Sequence, residues 1–287
     1  MRSEILLPIG ELARRTGVNP VTLRAWERRY GLLKPQRTPK GHRLYPVEQV
    51  ERVEAILAWL QRGASVSQVG DLLDKPLSTP PTGDWQTRQF QMLEAIANLS
   101  QRALDHQLNQ AMALYPAVTL CEQLLLPLLD LLELRWRNYF NARLEQVFFH
   151  TWLRSKLGAR VYHVNQLLQG PPVLLAEDSD RGFDPGLWLC AWLFTSNGFA
   201  VEILEQAVAG AQLQSAAAAL KPRALLLNLG ARIDTRALQR TLQNLQLPTL
   251  AGGALLALHQ TQLGSLDLPH LHTFDTPQAA LRLLQGL

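Results

Sequence analysis

Hydrophobic and polar positions change their period once along this 287-residue chain, after Pro171. Near the start, Pro8, Ile9, Leu12 and Ala13 set apolar groups on one side of a short helix. Thr16-Gly17-Val18 stops it, since glycine takes positive φ at little cost. Asn19 then caps a second helix with Pro20 in its first turn. In that helix Val21, Leu23 and Tyr30 are expected to pack inward and Thr22, Arg24, Arg28 and Arg29 to project, and Gly31 ends it. Val47 to Gln61 and Ser67 to Leu73 read as two supporting helices. From Trp85 to about Leu168 the pattern is helical almost throughout. Phe90, Leu93, Ile96, Ala97 and Leu99 repeat near helical spacing, and Leu104 to Tyr115 gives a second helix. Pro116 lets a third begin at Val118, and Asn141 marks a break before a fourth that runs to Asn165. Four such helices, strongly apolar around Leu124 to Leu134, predict a bundle with one face needing cover by another domain or subunit. After Pro171 the runs shorten to Val173–Ala176, Ala200–Leu204, Arg223–Asn228 and Leu247–Ala251, separated by segments of helical composition. That alternation predicts a parallel sheet with helices on both faces.

Charge sharpens the first part of this picture. Lys34, Arg37, Lys40, His42 and Arg43 are spaced by Pro35, Pro39 and Gly41, so the segment after the second helix is a tight basic hairpin and not a helix. Up to Tyr45 there are ten Lys/Arg (Arg2, Arg14, Arg15, Arg24, Arg28, Arg29, Lys34, Arg37, Lys40 and Arg43) against Glu4, Glu11 and Glu27, whereas the whole chain carries a formal net charge of only +4. A charge run alone fits a solvated face. Here charge, turn chemistry and element order agree on an all-α winged helix-turn-helix, with donors on the second helix for base edges and cations around them for phosphates. The partner this implies is double-stranded DNA.

The run Arg24-Ala-Trp-Glu-Arg-Arg-Tyr-Gly-Leu32, followed by Arg37-Thr-Pro-Lys-Gly-His-Arg-Leu-Tyr45, resembles the DNA-binding domain of the MerR family of bacterial transcription regulators, from about Ile9 to Leu73. The resemblance assigns Thr22, Arg24 and Tyr30 to the recognition helix and Arg37, Arg43 and Tyr45 to the wing; charge and position add Arg28, Lys40 and His42. Lys75 to Gly83, with three prolines, cannot continue a helix. The expected organisation is therefore multidomain: a reader over residues 1–75, a linker over 76–84, a four-helix bundle over 85–168 and a Rossmann-like α/β domain over 169–287.

Composition excludes several classes. No run approaches the roughly 18 apolar residues of a membrane span, and the N-terminal segment reads as part of the reader and not as a signal sequence. A cytoplasmic protein is expected. Cys121 and Cys190 stand in apolar patterns without Cys or His at metal-ligand spacing, so buried thiols are expected and no metal. No nucleophile–base pair appears at a plausible spacing, and Glu177, Asp178 and Asp180 crowd one loop where solvation is the default, so no catalytic residue and no enzyme is expected.

In open α/β sheets ligands sit at the carboxyl ends of the strands. The loops there are Glu177 to Gly186, Gln206 to Ala211, Asn228 to Asp234 and the Gly252-Gly253 pair. A bundle followed by such a domain, behind a reader of this type, is similar to the cobalamin-dependent light-sensing repressors and their relatives, which include curli-regulator-like members that bind no cobalamin. Family members that bind adenosylcobalamin carry Trp, then about nine residues, then Glu-His; here Trp136 is followed after eight residues by Glu145-Gln146. The family's Glu-x-Asp-x-His-x-x-Gly loop, aligned on Gly186, becomes Ser179, Arg181 and Phe183, and Phe has no lone pair to give cobalt. The Ser-x-Leu signature becomes Asn228-Leu229-Gly230, while Gly252-Gly253 matches the family's double Gly. His150, His163, His259, His270 and His272 lie outside the first α/β loop. The resemblance thus implies a transcription regulator whose sensor half, with Trp136, Glu145, Gln146, Phe183, Asn228, Gly252 and Gly253 as the ligand-site candidates, has lost the cobalt-ligating His. No cofactor is expected, with base-on cobalamin as the alternative. A homodimer, an unidentified small-molecule effector and a contact with RNA polymerase complete the expected partners. A cobalamin-dependent enzyme-like module is the remaining reading, and it requires the missing His.

Overall fold

The computed structural model describes residues 6–38, 41–61, 64–73, 84–137, 142–179, 182–266 and 268–287. They form two compact units, residues 1–149 and 150–287.

The first unit begins with β1 (Leu6–Pro8), α1 (Ile9–Thr16) and α2 (Pro20–Tyr30). The turn chemistry read from the sequence is present. Gly17 and Gly31 take φ of 70° and 64°, and the Asn19 side chain accepts from the amides of Val21 and Thr22, each at 2.9 Å. β2 (Gln36–Arg37) and β3 (Arg43–Pro46) make the wing, with Arg37 opposite Arg43. β1 pairs with the other edge of β3, Leu7 opposite Tyr45, so the reader contains a three-stranded antiparallel sheet and is not all-α. A three-residue strand beside a proline gives no alternation long enough to read from sequence. α3 (Glu48–Gln61) and α4 (Val66–Leu72) close the reader, the latter started by a Ser65/Gln68 capping box. The segment expected to be the linker falls largely outside the described residues.

The bundle follows with α5 (Trp85–Ala97), α6 (Gln101–Leu114), α7 (Ala117–Leu120), a π-helical turn over Cys121–Leu125, α8 (Leu126–Arg137) and α9 (Ala142–Asn165). Pro116 starts α7 where the sequence placed it. Met92, Ile96, Leu104, Leu108, Leu124, Leu128 and Leu132 are buried here at helical spacing, and each full burial of such a side chain is worth about 1.5–3 kcal/mol. The division between the two units falls inside α9.

The second unit is a parallel sheet of β4 (Val173–Glu177), β5 (Val201–Leu204), β6 (Ala224–Asn228), β7 (Thr249–Gly252) and β8 (Leu271–Phe274), in the order β5-β4-β6-β7-β8. The helices between and after the strands are α10 (Pro185–Ser196), α11 (Gly210–Leu220), α12 (Thr235–Leu245), α13 (Leu256–Gly264) and α14 (Pro277–Gln285). β4 and β6 are buried at every position, as continuous apolar runs in a doubly covered sheet must be. α10 and α14 meet each other, while Leu213, Leu242, Leu256 and Leu263 of α11, α12 and α13 join Leu174, Ala176, Leu225 and Leu227 in one core. The order reverses between β4 and β6, which places their carboxyl ends at the switch point of the sheet.

Candidate nucleic-acid interface

Asn19, Pro20 and Gly31 fix where α2 begins and ends, and the apolar stripe of Leu23 and Trp26 fixes its roll. Arg24, Arg28 and Arg29 are exposed on its outer side. Val21 and Thr22 exchange the places expected of them: Val21 is 61% exposed, and Thr22 is fully buried with no hydrogen-bond partner for its hydroxyl. Thr22 stands one turn before Trp26 on the same flank of the helix. That flank is occupied, since the Trp26 indole donates to the Leu114 carbonyl of α6 at 2.7 Å. Tyr30 is half-buried, as its inward place in the helix predicts.

The wing is built on an acid. Glu27, on the inner side of α2, accepts from Arg43 Nε at 2.6 Å, lies 3.3 Å from the Tyr45 hydroxyl and pairs with Arg37 at 3.7 Å. Tyr45 is therefore core: it is fully buried and does not reach outward to grip phosphate. Its burial, with the Glu27 carboxylate beside it, pushes the phenol up to about 12, while Glu27 raises the Arg43 guanidinium. Thr38 and His42 close the hairpin through Thr38 N to His42 O at 3.0 Å, with His42 exposed. Lys40 lies outside the described residues. The interface that emerges is an arginine face on α2 beside a wing whose Arg37 is 59% exposed. Glu27 was not singled out from the sequence as the hub; a lone acid among the arginines of one helix was the signal for it.

The sheet-end candidates behave differently. Asn228, buried at the end of β6, donates its amide to both Glu177 carboxylate oxygens at 3.0 and 3.1 Å. A side chain on Gly253, where φ is 113°, would strike the Asn228 amide oxygen, and one on Gly252 would strike the Phe274 backbone. The double glycine is thus required by the packing of this chain against itself. Phe183 meets the His150 ring edge-on at 5.3 Å. His259 contacts the Gly230 carbonyl at 2.7 Å through Nε2. In the first unit, Glu145 takes both arms of Arg135 at 2.8 and 2.7 Å, Gln146 accepts from Arg143 at 3.2 Å, and Trp136 tilts against Phe149 with ring centroids 6.2 Å apart. Trp136, Glu145 and Gln146 belong to one unit and Phe183, Asn228, Gly252 and Gly253 to the other. Among the described residues no cluster of His, Cys, Asp or Glu has the arrangement of a metal site. No helix among them is long and apolar enough to cross a membrane.

Residues 7–75 match the family model described as MerR HTH family regulatory protein. The HTH-type transcriptional regulator MlrA of Salmonella typhimurium LT2 is 42% identical over 123 residues, 43% of this chain and 50% of that protein, so the chain spans half the length of that relative. Its counterpart in Escherichia coli K12 is 33% identical over 205 residues, 69% of this chain and 79% of that protein. The chain belongs to the MerR family of HTH-type regulators. A further MerR-type relative, the HTH-type transcriptional repressor CarH of Myxococcus xanthus, is 26% identical over 266 residues, 86% of this chain and 89% of that protein. The monomethylamine corrinoid protein of Methanosarcina barkeri superposes with a TM-score of 0.51 at 16% identity, covering 70% of this chain and all of that one. At that identity the likeness is one of fold: it shows a corrinoid-protein-like bundle and α/β sheet, while the MerR-type reader rests on the family model over residues 7–75.

Proposed function

We propose that this protein is a sequence-specific, double-stranded-DNA-binding transcription regulator that acts in the cytoplasm as a homodimer, and that its sensor half works without cobalt ligation. The observation that carries the DNA reading is the exposed face of Arg24, Arg28 and Arg29 on a helix capped and rolled so that its apolar stripe turns away from them. Base-edge donors and phosphate cations on one face are what a major-groove helix requires. Substituting Arg24→Ala together with Arg28→Ala removes two exposed guanidinium groups and is expected to weaken duplex binding by about 2 kcal/mol or more. Unchanged retardation of duplexes selected by the wild-type chain removes this surface from the reading.

The residues aligned with a corrinoid site do not fit it. Phe183 offers cobalt no lone pair, and Asn228, Glu177 and Gly253 are engaged with one another. These observations support a binding and switching role in place of catalysis. Gel filtration with hydroxocobalamin and adenosylcobalamin in the dark is expected to separate protein from corrin, and stoichiometric co-elution overturns this part. The dimer is supported by Leu131 and Leu134 on α8 and Leu144 and Val147 at the start of α9, large apolar side chains left exposed. A second copy of the chain is the occupant assigned to this face, because two-fold-related half-sites need paired readers. Sedimentation of a Leu134→Glu, Leu144→Glu variant should give the monomer. If the wild-type chain is itself monomeric, the face belongs to another protein such as RNA polymerase.

A further inference from the structure

The recognition helix does not stand alone in the first unit. α2 packs along α6, and the buried Trp26 indole is tied to the Leu114 carbonyl. Two more bonds join bundle and reader away from that helix: the Val66 amide donates to the Tyr115 hydroxyl at 3.4 Å, and the Gln123 amide to the Gln61 carbonyl at 2.9 Å. Gln61 ends α3, so Gln123 caps one of the carbonyls that a helix terminus leaves open. Tyr115 is held in turn by the Trp85 ring, with centroids 4.4 Å apart.

This docking has a consequence for the arginine face. Ala113 of α6 stands with Val21, Arg24, Ala25, Arg28 and Arg29 around a cleft of about 330 Å³. A duplex seated on those arginines has to enter the space that α6 borders. On the flank next to it, Thr22 is fully buried one turn before Trp26.

We propose that the bundle is an autoinhibitory latch on the reader. In the docked arrangement α6 covers the Thr22 and Trp26 flank of the recognition helix; in the undocked one that flank is open to DNA, and whatever loosens the bundle raises DNA affinity. The inference rests on the reading of α2 as the DNA-binding helix. The apparent affinity of such a reader is its intrinsic affinity reduced by the undocked fraction. The bonds made by Tyr115 and Gln123 lie on α3 and α4 of the reader and not on α2, so they can be weakened without changing the arginine face.

The test uses the full chain and duplexes recovered by the wild-type protein from a random-sequence pool. A Tyr115→Phe, Gln123→Ala variant keeps the ring stack on Trp85 and is expected to bind the same duplexes at least about fivefold more tightly, with the same salt dependence. Equal or weaker binding by a variant with wild-type circular dichroism overturns the latch. A second measurement needs no variant. Amide hydrogen exchange in the last turn of α6, residues 111–114, is expected to quicken when the wild-type chain is saturated with duplex, and unaltered protection overturns the latch. If neither chain recovers any duplex from the pool, the DNA reading itself fails and the latch falls with it; if the wild-type binds and the variant binds alike, only the latch fails.

Discussion

Glu27 is the acid around which the wing is organised, and its contacts define what single substitutions do. Replacing Glu27→Gln removes the charge that holds Arg43, Arg37 and the Tyr45 hydroxyl together. The pairs are partly solvated, so the expected loss is about 1–2 kcal/mol of stability, read from urea unfolding. Tyr45 gives a pH signature. Its phenol is held up to about 12 against an ordinary 10.0, so the folded state keeps a proton that the unfolded chain releases. Its contribution is fully present below pH 10 and is lost as pH rises toward about 12. Thermal melts between pH 9 and 11 should therefore fall more steeply for the wild type than for Tyr45→Phe, and parallel curves would disprove the linkage. At this scale the sequence was legible wherever chemistry is local: Asn19, Gly17 and Gly31 do what their types dictate. It misled at Val21 and Thr22. A first-turn valine reads as core and a threonine as surface, and the roll of α2 that buries Leu23 and Trp26, the latter tied to the distant Leu114 carbonyl, reverses the two.

The strands show the same division between local and distant causes. Continuous apolar runs made β4 and β6 plain, and each later strand began within a residue or two of its expected place. β8 did not stand out, because Leu271 to Phe274 includes His272 and Thr273 on an edge with partly exposed positions. β1 was missed because its three residues earn their pairing only once β3 is folded beside them. The double glycine was read from sequence as a match to a ligand-binding signature, whereas here it admits the Asn228 amide and the Phe274 backbone. Both glycines are consequently intolerant of a side chain, but for different reasons. Gly253→Ala forces a residue with a Cβ into φ of 113° and costs about 1–3 kcal/mol. Gly252→Ala collides with the backbone of the neighbouring strand, which cannot turn aside as an amide side chain can, so its melting temperature should fall further. A smaller effect at Gly252 than at Gly253 would show that β8 yields. On α9 a second cluster is expected to matter for stability: Arg154 grips Glu205 through both guanidinium arms at 2.6 and 2.5 Å, and Trp188 donates to the same carboxylate at 3.0 Å. Arg154 holds the Glu205 carboxyl below its usual range. The stability it lends is present above the ordinary carboxylate value of 4.5 and fades as pH falls below it, a slope that an Arg154→Met variant should lack.

At the scale of the molecule, one chain carries a MerR-type reader followed by a corrinoid-protein-like bundle and α/β sheet, and at the end of that sheet Glu177, Asn228 and Gly253 pack together. The division of labour was visible in the change of hydrophobic period; the closing of the sheet end by Glu177, Asn228 and Gly253 was not, because it depends on three loops meeting. The acid beneath the wing has one more effect, on the ion atmosphere of DNA. Arg14 and Arg15 are engaged with Glu11, and Arg37 and Arg43 with Glu27, before any duplex arrives. Fewer cations are then left to displace condensed counterions than the basic count implies. Among the described residues Arg24, Arg28, Arg29 and Lys34 remain as the main contributors, and at about 0.9 for each phosphate neutralised they should add about −4 per reader to the slope of log affinity against log salt. Such a regulator is tuned to keep its site over the swings of ionic strength that would strip a reader using every one of its arginines.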